Sequence, residues 1–192
     1  AKDICLYALQ AGGKRIRPTL VLLASKCFSR EQVPLKAIPI AVAAELIHLA
    51  SLIHDDIIDG ADSRHGKLSV NSRWGNKIAV LAGDTLFAKA FEILSRYGLH
   101  DVLELMVEAI KDMCSGEIEQ AMDSFNQDQE EDGYYRKISK KTAKLLAVCC
   151  QSGSLISAPG REYADTLREF GLNLGYAFQI PDDILDLTGE KE

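Results

Sequence analysis

Six aspartates in two short runs carry the strongest chemical signal in this sequence. Asp55-Asp56-Ile57-Ile58-Asp59 and Asp182-Asp183-Ile184-Leu185-Asp186 share the pattern D-D-x-x-D, and each follows an apolar stretch. On a helix the first and last aspartates of such a run share a face, so Asp55 pairs with Asp59 and Asp182 with Asp186. Like charges at that spacing weaken a helix, and carboxylates crowded where a helix leaves the core attract cations. Oxygen-only ligands suit Mg²⁺, which keeps several waters and bridges to substrate phosphates. Two copies in matching apolar contexts read as half-sites facing each other across a helical bundle. A calcium EF-hand is excluded by spacing: counted from Asp55, the third loop position is Ile57 and the twelfth Gly66, and neither is a suitable ligand.

The complementary signal is basic. Gly12-Gly13-Lys14-Arg15-Ile16-Arg17-Pro18 places three cations between a glycine pair and a helix start. Glycines let a backbone approach a ligand closely, and a helix N-terminus favours anions. The run is not a Walker A loop, because Ala8 stands where the first glycine belongs and Arg15 follows Lys14. Arg64-His65-Gly66 lies just beyond the first acidic run, and Lys140-Lys141-Thr142 opens a further apolar stretch. Three basic clusters beside two acidic ones suit a site that holds diphosphates both directly and through metal. No G-x-S-x-G and no Cys–His nucleophile pattern is present.

The elements that must position these groups are helical almost throughout. The spacing predicts a helix ending near Gln10, a second from the Pro18 region to about Phe28, and a long third from between Pro34 and Pro39 to about Asp59. Residues 60–75 read as a polar, Gly-punctuated loop. Further helices are expected at about 77–97, 101–123, 130–152 and 162–187, with an exposed acidic segment at 123–132. At 192 residues, 47% hydrophobic and 26% charged, the chain suits one all-α domain over residues 1–192 with a single core. The net charge of −6 argues against a nucleic-acid binder, which needs a basic surplus to neutralise phosphates. Five cysteines without zinc spacing read as free thiols in a reducing compartment, and with no signal pattern visible the expected location is the cytoplasm. The apolar stretch Ile38–Ile53 contains Glu45 and His48, and reads as a buried core helix rather than a membrane span.

In order and rough spacing, G-G-K-R-x-R-P, L-I-H-D-D-I-I-D with R-x-G, G-D-T-L-F, G-E-I-E-Q, K-T-A and F-Q-I-P-D-D-I-L-D resemble the trans-isoprenyl diphosphate synthases, over essentially the whole chain. The resemblance implies an isoprenoid-synthase-type helical bundle around a central cavity, commonly a homodimer, with a heterodimer also open. It implies Mg²⁺ on Asp55, Asp56, Asp59, Asp182, Asp183 and Asp186, with Asp55, Asp59, Lys141 and Asp182 central to catalysis. Arg64, Lys141, Thr142 and Gln179 then belong on the side of the allylic diphosphate, and Lys14, Arg17 and His48 on the side of isopentenyl diphosphate. His65 stands where the family usually has a second arginine. Members of the family run longer at both ends, so the chain reads as a piece of a longer protein.

The chemistry implied is head-to-tail condensation of isopentenyl diphosphate onto an allylic diphosphate. Ala50 and Ser51, five and four residues before Asp55, are small where short-chain members carry a bulky aromatic. A long product of about six to ten isoprene units is therefore expected by resemblance, of the kind used for quinone side chains, with at most peripheral membrane association through that product. A terpene cyclase, a short-chain synthase and a non-catalytic partner subunit are the competing readings. Lys14, Arg17 and His48 count against the cyclase, and the six intact aspartates against the inert subunit.

Overall fold

The computed structural model describes residues 2–29, 32–122 and 131–189, apart from the side chains of residues 186 and 187. Most of the expected acidic segment at 123–132 lies outside the described residues, as does the Asp186 side chain. The helices are α1 (Lys2–Leu9), α2 (Ile16–Lys26), α3 (Ala37–Ile58), α4 (Val70–Trp74), α5 (Asn76–Arg96), α6 (His100–Met122), α7 (Glu131–Ile138), α8 (Lys144–Leu155) and α9 (Arg161–Thr188). A π-helical turn, Ser139–Ala143, joins α7 to α8, and a two-stranded hairpin, β1 (Ser63–Arg64) with β2 (Lys67–Leu68), precedes α4.

The central element is α3. Pro39 falls in its first turn, where a missing N–H interrupts no helical bond. Beyond it, Ile40, Ala43, Ala44, Ile47 and Ala50 are completely buried. Small alanines let α2, α5 and α8 approach α3 closely, and isoleucines fill the gaps between them. By length and composition α3 could cross a membrane, but here it packs inside the bundle, as the sequence suggested.

On one side of α3, α5 comes close enough that a Cβ on Gly83 would overlap the His54 ring, whose Nε2 lies 3.2 Å from the Val80 carbonyl oxygen. Further along, α8 is sandwiched between α2 and α9. A Cβ on Gly175 of α9 would fall on Ala143 of the π turn, so the two backbones meet with no side chain between them.

Two sequence expectations are corrected. Residues 60–75 are not a featureless loop. The hairpin turns through His65 and Gly66, both with left-handed backbone (φ 51° and 74°), as a two-residue turn between right-twisted strands requires. Ser69 then caps α4 by accepting from the Ser72 amide at 3.3 Å. The single helix expected over 130–152 is two helices joined by the π turn, an i→i+5 insertion too short to separate from a continuous helix by its sequence pattern.

Candidate active site

The acidic runs end α3 and α9, as their positions in the sequence suggest. Asp55 is half-buried, Asp56 buried and Asp59 exposed at the α3 C-cap. The middle aspartate of each run is taken up by the protein itself. Asp56 Oδ1 accepts from Arg64 Nε at 3.0 Å and from a terminal nitrogen of the same guanidinium. Asp183 Oδ2 accepts from the Tyr134 hydroxyl, and its Oδ1 from Gln179 Nε2, each at 2.8 Å. Of the outer aspartates, Asp59 and Asp182 are exposed. Arg64 is thereby fixed beside the first run.

The π turn connects the two runs. Lys141 Nζ lies 2.9 Å from Glu117 Oε1 of α6. Burial works against the Lys141 ammonium, but the bond to Glu117 and the charges of Asp55 and Asp59 outweigh it and push its pKa up. Its neighbour Thr142 donates to Gln179 Oε1 at 2.6 Å, and Gln179 in turn holds Asp183. One turn of chain therefore reaches the first run through Lys141 and the second through Thr142. Glu117 is the member that sequence reasoning passed over. It lies in the noted G-E-I-E-Q run, but nothing in its spacing marks it apart from the other acids of α6.

Burial, reinforced by Glu117 and Asp59, pushes the Asp55 carboxyl up to about 6, against the pull of Lys141 and Arg64. Such crowding favours a bound cation. Among the described residues no three His, Cys, Asp or Glu side chains gather closely enough to enclose a metal unaided. The carboxylates of Asp55, Asp59 and Asp182 are hard oxygen donors of the kind that suit Mg²⁺, which takes one or two carboxylates and completes its shell with water and phosphate oxygens.

The basic residues form a second cluster. Desolvation lowers the Arg17 pKa, and its Nε is buried without a hydrogen-bond partner among the described residues. Burial, then the charges of Arg17, Arg64, Arg15 and His65, drive His48 down to about 3, so its imidazole is neutral. Lys14 and His65 are exposed on their two turns. Arg15 is spent structurally: it pairs with Glu45 and donates to the Leu9 carbonyl at 2.6 Å.

Of the two positions expected to bound the product, Ser51 is half-buried, with its hydroxyl donating to the His48 carbonyl at 2.8 Å. Ala50 is completely buried in the core. At 3.6 residues per turn Ser51 lies about 40° round the helix from Asp55 and Ala50 about 140°. Ser51 therefore lies close to the aspartate face and Ala50 well away from it.

An all-helical bundle presenting two aspartate runs, with a cationic cluster beside the first, defines an isoprenoid-synthase-type protein. The family model for polyprenyl synthetase matches residues 1–192, and the chain belongs to that family. It is 43% identical over 190 residues to heptaprenyl diphosphate synthase component 2 of Geobacillus stearothermophilus, covering 99% of this chain and 59% of that protein. The fold matches the crystal structure of heptaprenyl diphosphate synthase from Staphylococcus aureus with a TM-score of 0.91 and 40% identity, over 96% of this chain and 58% of that one. It matches the Caulobacter crescentus polyprenyl synthase, complexed with calcium and isoprenyl diphosphate, with a TM-score of 0.92 and 35% identity, over 98% and 57%. The chain thus spans rather more than half the length of these relatives.

Proposed function

We propose that this chain carries the catalytic aspartates of a trans-polyprenyl diphosphate synthase, which joins isopentenyl diphosphate head-to-tail to an allylic diphosphate and yields a long product. The observation that carries this reading is the π turn: Lys141 serves the first acidic run while Thr142, through Gln179, serves the second. That arrangement supports a site for one diphosphate between the two carboxylate runs.

The outer aspartates Asp55, Asp59 and Asp182, with Asp186, would hold Mg²⁺, which supplies Lewis-acid neutralisation of the departing diphosphate. Lys141, beside Asp55 and Asp59, would bind the same diphosphate directly. Thr142 and Gln179 present oxygens that can stabilise positive charge on the allylic carbon as its C–O bond breaks. Lys14, Arg17 and His48 hold the second diphosphate and aim the isopentenyl double bond at that carbon. The new C–C bond forms there, and the proton then lost passes to the released diphosphate, so no side-chain base is needed. His48, held neutral, serves as a hydrogen-bond donor and not as a charge.

A homodimer is the proposed assembly, and Ile78, Val80 and Leu81, exposed on α5, offer an apolar surface for it. The component 2 designation of the Geobacillus relative favours a second arrangement, with a distinct partner chain. Native mass spectrometry of the protein from its source separates one repeated mass from two.

The catalytic test is substitution of Asp55→Asn and Asp182→Asn in the full-length protein, assayed with an allylic diphosphate, labelled isopentenyl diphosphate and Mg²⁺. Turnover should fall by orders of magnitude with helix content unchanged. Near-normal turnover in both variants would sink the assignment.

A further inference from the structure

The Gly12-Gly13-Lys14 turn is exposed, and a Cβ built on either glycine would meet no atom within 4 Å. With φ of 109° and 116° at the glycines and 53° at Arg15, no packing of its own fixes its path. Its position is set at its two ends. One end is Arg15, bonded to Glu45 and to the Leu9 carbonyl.

The other end is Gln10, and here α1 and the hairpin grip each other reciprocally. Lys67 of β2 donates its ammonium to the Gln10 carbonyl at 2.7 Å, and Tyr7 of α1 donates its hydroxyl to the Leu68 carbonyl at 2.8 Å. Both bonds link segments about 60 residues apart in sequence, Gln10 with Lys67 and Tyr7 with Leu68. Tyr7 is further pinned by α4. Its ring meets Trp74 edge-on at 5.0 Å, and the Arg73 guanidinium lies 4.5 Å from the Tyr7 centroid and 4.6 Å from that of Trp74.

The hairpin is itself anchored to α3 through Arg64 on Asp56 and through Asn71 Nδ2, which donates to the Asp56 carbonyl at 3.2 Å. The clasp therefore ties the turn that bears Lys14 to the turn that bears His65, and ties both to the first aspartate run.

We infer that Lys67 and Tyr7 are positioning residues for the isopentenyl diphosphate site: they hold the Gly-Gly-Lys turn against the His65 turn, so that Lys14 and the neighbouring loop meet one diphosphate. This rests on the reading of Lys14, Arg17 and His48 given above. Neither residue need touch the substrate, and the loss of either should loosen the same loop.

The experiment uses the full-length protein with Tyr7→Phe, Lys67→Met and Lys67→Arg, and Lys14→Ala as a control. Tyr7→Phe and Lys67→Met should each raise KM for isopentenyl diphosphate by about three- to tenfold, the worth of one such hydrogen bond. KM for the allylic substrate and kcat should stay near wild type, and Lys67→Arg should restore most of the loss. Amide exchange in residues 11–15 should quicken in both disrupted variants. An unchanged KM in Tyr7→Phe, equal rises for both substrates, or unchanged exchange at residues 11–15 would each overturn the inference. A Lys67→Met effect without a matching Tyr7→Phe effect would make Lys67 a direct ligand and overturn it too. If Lys14→Ala leaves KM unchanged, the reading of the isopentenyl diphosphate site itself fails, and amide exchange still decides whether the clasp holds the turn.

Discussion

Asp55 is where function and stability oppose each other. Its carboxylate is partly desolvated and lies beside Glu117 and Asp59, so its charge is unfavourable until a cation arrives. Asp55→Asn nearly keeps the shape while removing that charge. Without metal at pH 7.5 the variant should be more stable than wild type, on the order of 1 kcal/mol once solvent screening is allowed for, even as its turnover collapses. Urea denaturation curves check this, and a less stable variant would show that the carboxylate is already neutralised within the protein. His48 acts with the opposite pH sign. Its pKa falls from 6.5 to about 3 on folding, so between those values the unfolded chain binds more protons than the native one. Stability is therefore lost as the pH drops below 6.5. Replacing His48 with Gln should flatten the loss between pH 7 and pH 5, by on the order of 1 to 2 kcal/mol. Parallel denaturation midpoints for wild type and variant across that interval would refute it.

At the scale of elements, the π turn and the glycines facing it decide whether the two acidic runs act together. Gly175 lets α9 lie directly on the Ala143 backbone, which brings Gln179, four residues further along α9, level with Thr142. Alanine at 175 is the better helix former by about 1 kcal/mol, but its methyl would collide with main chain that has nowhere to move. Gly175→Ala should therefore lower the melting temperature by several degrees and reduce kcat more than either KM. A stable variant with normal kcat would show that α9 can slide without cost. This is also where sequence reading reached its limit. Helix periodicity and the aspartate runs were legible because each depends on residues within two turns of one another. The π turn, the hairpin inside residues 60–75, and the bonds from Arg64 to Asp56 and from Tyr134 to Asp183 were not legible, because each depends on which elements meet. The left-handed hairpin turn also gives a local reason for histidine at position 65. Outside glycine, that backbone region is entered most readily by Asn, Asp and His.

Across the whole molecule, the proposed activity requires room for a growing chain to extend from the aspartate runs into the bundle. On the proposed activity the tail would descend along the face of α3 that carries Asp55, and Ser51 lies on that face about one turn, or roughly 6 Å, deeper. Its side chain is small and turned back onto the His48 carbonyl, so it leaves room beside α3 at that depth. Phe87 of α5, 5.8 Å from the His54 ring and stacked on Phe91 at 6.4 Å, offers an aromatic wall nearby. Ala50 points elsewhere, into packing with no exposed surface, and a large residue there acts on the fold rather than on the tail. The two positions can thus be told apart by one pair of variants. Ser51→Phe should shorten the product to about three or four isoprene units, by the same resemblance that suggests six to ten, with folding intact and the first condensation unimpaired because the metals lie above the plug. Ala50→Tyr should instead cost about 1 to 3 kcal/mol of stability through overpacking. A chromatogram in which Ser51→Phe makes the wild-type product, while a well-folded Ala50→Tyr makes a short one, would show that the tail passes the other side of α3.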